Sequence, residues 1–176
     1  MLRISLIYGS IAGLIVILVL IAGLTVLSGE HFITTEWFGY LSMIVALSTI
    51  FLGIKRYRDE ALGGVIKFLP ALALGLSIAV VAGVIYTAVW EIYLAATGYQ
   101  FMDQYVAGII AARKAHGMSG AALAAEIAQL NAMKVQYDNP LFRLPMTFLE
   151  IFPVGLIIAL ISAAVLRNPR VLPARA

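Results

Sequence analysis

Glu91, Glu150 and Arg143 sit in stretches otherwise almost free of charge, and they are the residues in this sequence best placed to do chemistry. Glu150 precedes Arg167 by 17 positions, so at ~1.5 Å per helical residue it lies about 25 Å from that end, just inside a hydrocarbon slab of about 30 Å. Glu91 follows Lys67 by 24 positions, about 36 Å, which puts it at the far boundary of the same slab and at a depth similar to that of Glu150. An ionisable group in such a run faces protein or water, because facing lipid costs at least a few kcal/mol. Arg143 stands seven positions before Glu150 on the same helical face, about 10 Å away along the axis. A salt bridge between those two needs stretched side chains or a bend at Pro145. Thr147 and Thr87 are the hydroxyls that a pocket shared by two carboxylates would draw on, since a buried carboxylate needs a cation, a donor or its own proton. Pro153 takes away the donor to the Leu149 carbonyl and predicts a kink beside Glu150. The set Glu91, Glu150, Arg143, Thr147 and Thr87 is therefore a candidate intramembrane polar site. It is open to two readings: a proton or ion path, or charges that simply satisfy a packed bundle and, for Glu91, reach the headgroups.

No other chemistry assembles. His31 and His116 are isolated and read as loop residues, so no metal site is expected, and no cysteine is present to ligate or to act as a nucleophile. No Gly-rich loop cradles phosphate and no acid, histidine and hydroxyl set resembles a hydrolase. The expectation is a protein that is not an enzyme and carries no cofactor.

These residues must be positioned by helices in lipid. Of the 176 residues, 62% are hydrophobic and 12% charged, against about half and a quarter in soluble domains. Mean hydropathy is +1.00. Four apolar runs, about 4–27, 37–54, 68–94 and 140–166, are long enough to span the roughly 30 Å core. The first exceeds a signal-peptide core and has no clean cleavage site after it. The second stops at Lys55-Arg56-Tyr57-Arg58-Asp59-Glu60. The fourth opens at Asn139-Pro140, where Asn caps and Pro takes the first helical position. The expected fold is all-α: a single four-helix polytopic membrane domain over residues 1–176.

Small residues repeat at four-residue steps along the third run, including Gly75, Ala79 and Gly83, with Gly9 and Gly13 on the first and Gly155 and Ala159 on the fourth. This spacing lets helix backbones approach closely in lipid, so these positions read as helix contacts. Between residues 98 and 138 lies the one sizeable segment outside the spans. Phe101, Met102, Tyr105, Val106, Ile109 and Ile110 recur at helical spacing, His116-Gly117 is a stop, and Ser119 can cap a second helix striped by Leu123, Ile127, Leu130 and Tyr137. The segment reads as a short amphipathic helical hairpin between the third and fourth spans.

Orientation follows from Lys and Arg. Arg3, Lys55, Arg56, Arg58, Lys67, Arg167, Arg170 and Arg175 fall on one side, and Arg113, Lys114, Lys134 and Arg143 on the other. The positive-inside bias makes both termini and the Lys55 to Lys67 loop cytoplasmic, and 98–138 extracytoplasmic. A sequence pI near 9.3 is explained by this flanking charge, so nucleic acid is not an expected partner. The basic loop of Lys55, Arg56, Arg58 and Lys67 is a topology anchor or a dock for anionic lipid or a partner.

Several strings carry a family resemblance: Gly53-Ile54-Lys55-Arg56-Tyr57-Arg58-Asp59 leading into Gly63-Gly64-Val65-Ile66-Lys67-Phe68, then Trp90-Glu91-Ile92-Tyr93, and Phe101-Met102-Asp103-Gln104-Tyr105. Asn139-Pro140-Leu141-Phe142-Arg143 and Thr147-Phe148-Leu149-Glu150-Ile151-Phe152-Pro153-Val154-Gly155 complete it. Over nearly its whole length the chain resembles the bacterial inner-membrane proteins catalogued as domain of unknown function 4199. The resemblance implies four membrane helices and brings no substrate, cofactor or catalytic residue. The expected function is an accessory or structural membrane protein that binds lipid or another membrane protein, itself included. The alternative is a small oligomeric transporter or proton-coupled permeation unit using Glu91 and Glu150.

Overall fold

The computed structural model describes residues 1–26 and 36–173. The expectations for His31 and Arg175 lie outside the described residues. The described chain is helical and contains no strand: α1 (Leu2–Val26), α2 (Glu36–Leu47), α3 (Thr49–Ala61), α4 (Phe68–Ala96), α5 (Phe101–Ala115), α6 (Gly120–Asp138) and α7 (Pro140–Leu166). Leu2–Thr25, Gly39–Ala61, Phe68–Ala96 and Pro140–Leu166 are long and apolar enough to cross a membrane. The second of these joins α2 and α3 through Ser48, where the Ser48 amide still donates to the Ile44 carbonyl at 3.0 Å and its hydroxyl to Val45 at 2.6 Å.

The apolar run of the second span ends at Ile54, but the helix does not. It continues to Ala61 because the charges that follow pair along its own face, Lys55 with Asp59 at 2.5 Å and Arg56 with Glu60 at 2.9 Å, each four residues apart. Gly63 and Gly64, at φ of 64° and 91°, then turn the chain with the Gly64 amide bound to the Arg58 carbonyl at 2.9 Å.

The described residues fall into two compact units, Met1–Val89 with Phe148–Ala176 and Trp90–Thr147, and α4 and α7 each contribute to both. In the first unit, small residues seat one helix backbone on another. A Cβ built on Gly9 would lie 2.7 Å from the Ile78 carbonyl oxygen, and one on Gly13 2.5 Å from that of Ala82, so α1 rests directly on the α4 backbone. A Cβ built on Gly75 would lie 2.8 Å from that of Ala159 and one on Gly155 2.9 Å from that of Ala79, which sets α4 antiparallel to α7 in four-residue steps. One built on Gly83 would lie 2.6 Å from the Phe148 ring, so the glycine leaves that ring its room. All seven small residues named from their spacing thus lie in contacts inside this unit. Around them Ile17, Leu47, Ile50, Ile54, Leu74, Ile78 and Leu166 are fully buried. In lipid this close packing, not hydrophobicity, holds helices together, since the tails are as apolar as the side chains.

In the second unit α5 and α6 pack through Met102, Val106 and Leu130, with Phe101, Ile109, Ile110 and Tyr137 against them. Tyr105, placed on the apolar stripe by its spacing, is 37% exposed, and Leu123 and Ile127 are half-buried. Gly117, at φ 85°, ends α5 while the Met118 amide reaches back to the Arg113 carbonyl at 3.0 Å. Ser119 does occupy the position before α6, but its hydroxyl makes no cap hydrogen bond. Asn139 caps α7 through its side chain, accepting from the Leu141 amide at 3.0 Å, with Pro140 behind it. The ion pairs Arg113–Glu126, at 3.3 Å, and Lys134–Asp103 tie α5 to α6. The Asp103 carboxylate beside Lys134 holds its ammonium pKa above the ordinary value.

Candidate functional site

Arg143 lies one turn into α7, 4% exposed, and its guanidinium engages the carboxylate of Glu91 near the end of α4. Nε donates to Oε1 at 2.6 Å and Nη2 to Oε2 at 2.9 Å, a two-pronged match that lysine could not make. Nη1 donates to the carbonyls of Tyr137 at 3.0 Å and Asp138 at 3.4 Å. Those two carbonyls close α6, so one side chain ties the α4 end, the α6 end and the α7 start together.

Aromatic rings close the cluster. The Arg143 guanidinium carbon sits 5.2 Å from the Tyr99 ring centroid and 5.7 Å from that of Tyr137. The Trp90 indole donates to the Tyr137 hydroxyl at 2.8 Å, stacks on Tyr93 and meets Phe101 edge-on. Tyr99 is held at φ 57°, directly after Gly98 at 65°. A bulky residue in the left-handed region costs on the order of 1–2 kcal/mol. Here that strain accompanies the ring's seat over Arg143, and the Tyr99 amide is tied to the Leu94 carbonyl at 2.8 Å. Thr147, in the same unit, is buried.

Glu150 and Thr87 belong to the first unit. Glu150 interacts with the hydroxyl of Tyr86, a residue only 1% exposed, yet Glu150 itself is exposed on the chain's surface. Among the described residues no ion pair includes it. Thr87 is half-buried, and its hydroxyl oxygen has no hydrogen-bond partner among the described residues. Arg143 therefore pairs with Glu91 on another helix, a pairing inside the candidate set read from the sequence, which left Arg143 open to either carboxylate. α7 continues helical through Pro145 and Pro153.

A second charge cluster was read as a basic loop. Arg58 is instead fully buried: Nε pairs with Asp59 Oδ1 at 2.7 Å, Nη1 donates to Val171 at 2.9 Å and Leu166 at 3.5 Å, and Nη2 to Leu172 at 2.5 Å. It caps the last turn of α7, satisfying a carbonyl that a helix end leaves open. Lys55 and Arg56 are neutralised along α3, and Lys67 is exposed before α4. The sequence held no sign of this use of Arg58, because the chain separation to its acceptors is 108 to 114 residues. Tyr99 and Tyr137 were likewise missed as partners of Arg143. Among the described residues no group of His, Asp or Glu could hold a metal ion.

Four long apolar helices, close small-residue contacts and buried arginines satisfied within the fold define a polytopic helical membrane protein. The chain belongs to the family described as "Protein of unknown function (DUF4199)", which matches residues 7–168. Neither curated proteins nor solved structures yield a match.

Proposed function

We propose that this protein is a non-enzymatic accessory or structural component of a bacterial inner membrane, binding lipid or another membrane protein, with both termini cytoplasmic. The observation that carries this reading is the state of Arg143 and Glu91. Glu91 is gripped on both oxygens by an arginine whose other hydrogen bonds go to backbone carbonyls and whose guanidinium lies over two tyrosine rings. Such a fully hydrogen-bonded charged network favours rigidity. Arg58 works the same way at the other charge cluster. What these contacts leave on the spans is an aliphatic surface, Ile7, Ile11, Leu14, Leu18, Val80, Val84, Ile157 and Ile161 among it, suited to lipid and to other helices.

The test is extraction from native membranes in polymer-bounded discs. Binding predicts that one lipid class or one membrane protein stays with the chain in fixed ratio after washing. Discs holding a lone chain in lipid of bulk composition would rule the reading out.

A further inference from the structure

α7 presents two chemically different faces in the first unit. Ile151, Gly155, Ala159, Ser162 and Ala163 are buried against the unit's own helices, whereas Leu149, Glu150, Pro153, Ile157, Leu160 and Ile161 form a continuous exposed stripe. Five of those six belong in hydrocarbon; Glu150 does not. It lies 16 positions before Leu166, about 24 Å up the helix, inside a span of about 30 Å and toward its far boundary.

The stripe holds a second acceptor. Pro153 has no amide hydrogen, so the Leu149 carbonyl lacks the donor that residue i+4 supplies elsewhere along a helix. Tyr86 can give Glu150 one hydrogen bond, while a carboxylate accepts up to about four. The surface thus offers a carboxylate with spare acceptor capacity beyond its bond from Tyr86 and, within one turn, a carbonyl without its helical donor. The complementary group is a cationic donor reached without crossing water.

The chain's own cations do not fill that role. Arg143 is occupied by Glu91 and two carbonyls, Arg58 by Asp59 and three, and Lys55 and Arg56 by Asp59 and Glu60. Arg3, Lys67, Arg167 and Arg170 flank helix ends, and Arg113, Lys114 and Lys134 lie on α5 and α6, outside the four candidate spans, so among the described residues a second copy brings no unengaged cation to the interior of a span.

We propose that the Glu150 stripe docks a transmembrane helix of a different protein, one that carries a lysine or arginine at the depth of Glu150. This rests on the accessory reading above and names the chemistry of the partner. The cation meets the Glu150 carboxylate and the Leu149 carbonyl, and flanking aliphatic residues of the partner lie along Ile157, Leu160 and Ile161.

The probe is a synthetic leucine-alanine transmembrane peptide, acceptor-labelled, with one lysine at a chosen depth. It is incorporated into liposomes with the donor-labelled full-length protein, and association is read by energy transfer. With the lysine about 24 Å from the end matching Leu166, the wild type should bind the peptide roughly threefold to tenfold better than an all-leucine or a glutamate version. Moving the lysine by two turns should abolish the preference, and so should Glu150→Gln, with circular dichroism showing that variant folded. Because the peptide series on the wild type needs no variant, a misfolded Glu150→Gln would not blunt the test. Equal binding of lysine, leucine and glutamate peptides overturns the inference. So does Glu150-dependent energy transfer between copies of the protein without peptide preference, which would assign the stripe to self-association. Either result leaves the accessory reading standing, since that fails only if washed discs hold no partner and no selected lipid.

Discussion

Replacing Arg143 by methionine tests whether the clamp is structural. The substitution keeps the length and apolar stem of the side chain while removing four hydrogen bonds: two to Glu91 and one each to the Tyr137 and Asp138 carbonyls. Breaking a buried ion pair from one side costs about 3–5 kcal/mol, largely because the surviving charge is stranded. The Glu91 side chain keeps 23% exposure, so water relieves part of that penalty and the low end, about 3 kcal/mol, is expected. Glu91→Gln should lose less, about 1–2 kcal/mol, because an amide still accepts from Arg143 while the cation retains its two carbonyls. The pair should couple: Arg143→Met with Glu91→Gln should cost at least 1 kcal/mol less than the two single losses added together. The assay is equilibrium unfolding in mixed micelles, followed by helical circular dichroism, with protease sensitivity of residues 98–138 as a local readout. Single losses below 0.5 kcal/mol, or strict additivity, would refute the clamp.

The glycines should separate by what a new methyl meets. Gly13→Ala, driven against the Ala82 carbonyl, should destabilise by about 1–3 kcal/mol in the same assay, and Gly9→Ala similarly, whereas Gly53→Ala meets the flexible tip of Ile78 and the side of the Tyr8 ring, with no backbone atom in the way, and should cost less, about 1 kcal/mol. Gly39→Ala has open space and should be neutral or stabilising by up to about 1 kcal/mol. Arg58→Lys keeps the charge but loses the fork that reaches Val171 and Leu172, so amide exchange in residues 167–173 should quicken at least tenfold while α4 is unchanged. Cytoplasm-dependent reporters should work when inserted at Ala61 and when fused after Ala176, and fail at Gly117; activity at Gly117 would reverse the proposed orientation.

The spans were legible because lipid demands long uncharged runs, and the small-residue steps because backbone contact in lipid leaves that spacing in a sequence. The Asn139-Pro140 start of α7 and the Gly117 stop were legible as local chemistry that needs no partner. Pairing across the fold was legible only in part. Glu91 and Arg143 were placed in one candidate polar site, but which carboxylate Arg143 takes depends on how α4 and α7 meet, which one helix's periodicity cannot supply. Arg58 was hidden for the same reason: in a run of bases it reads as loop charge, and only the returning chain after Leu166 makes it a cap. Ile54 misled about the second span because charge ends an apolar run, whereas paired charge continues a helix.

Proton flux in sealed liposomes bears most directly on the claim that the intramembrane charges are structural. With full-length protein reconstituted at known density, a pH-sensitive dye inside and an imposed pH gradient and membrane potential, the account predicts decay indistinguishable from protein-free vesicles. Decay that rises with protein density and is abolished by Glu150→Gln would contradict it and assign the carboxylates to transport.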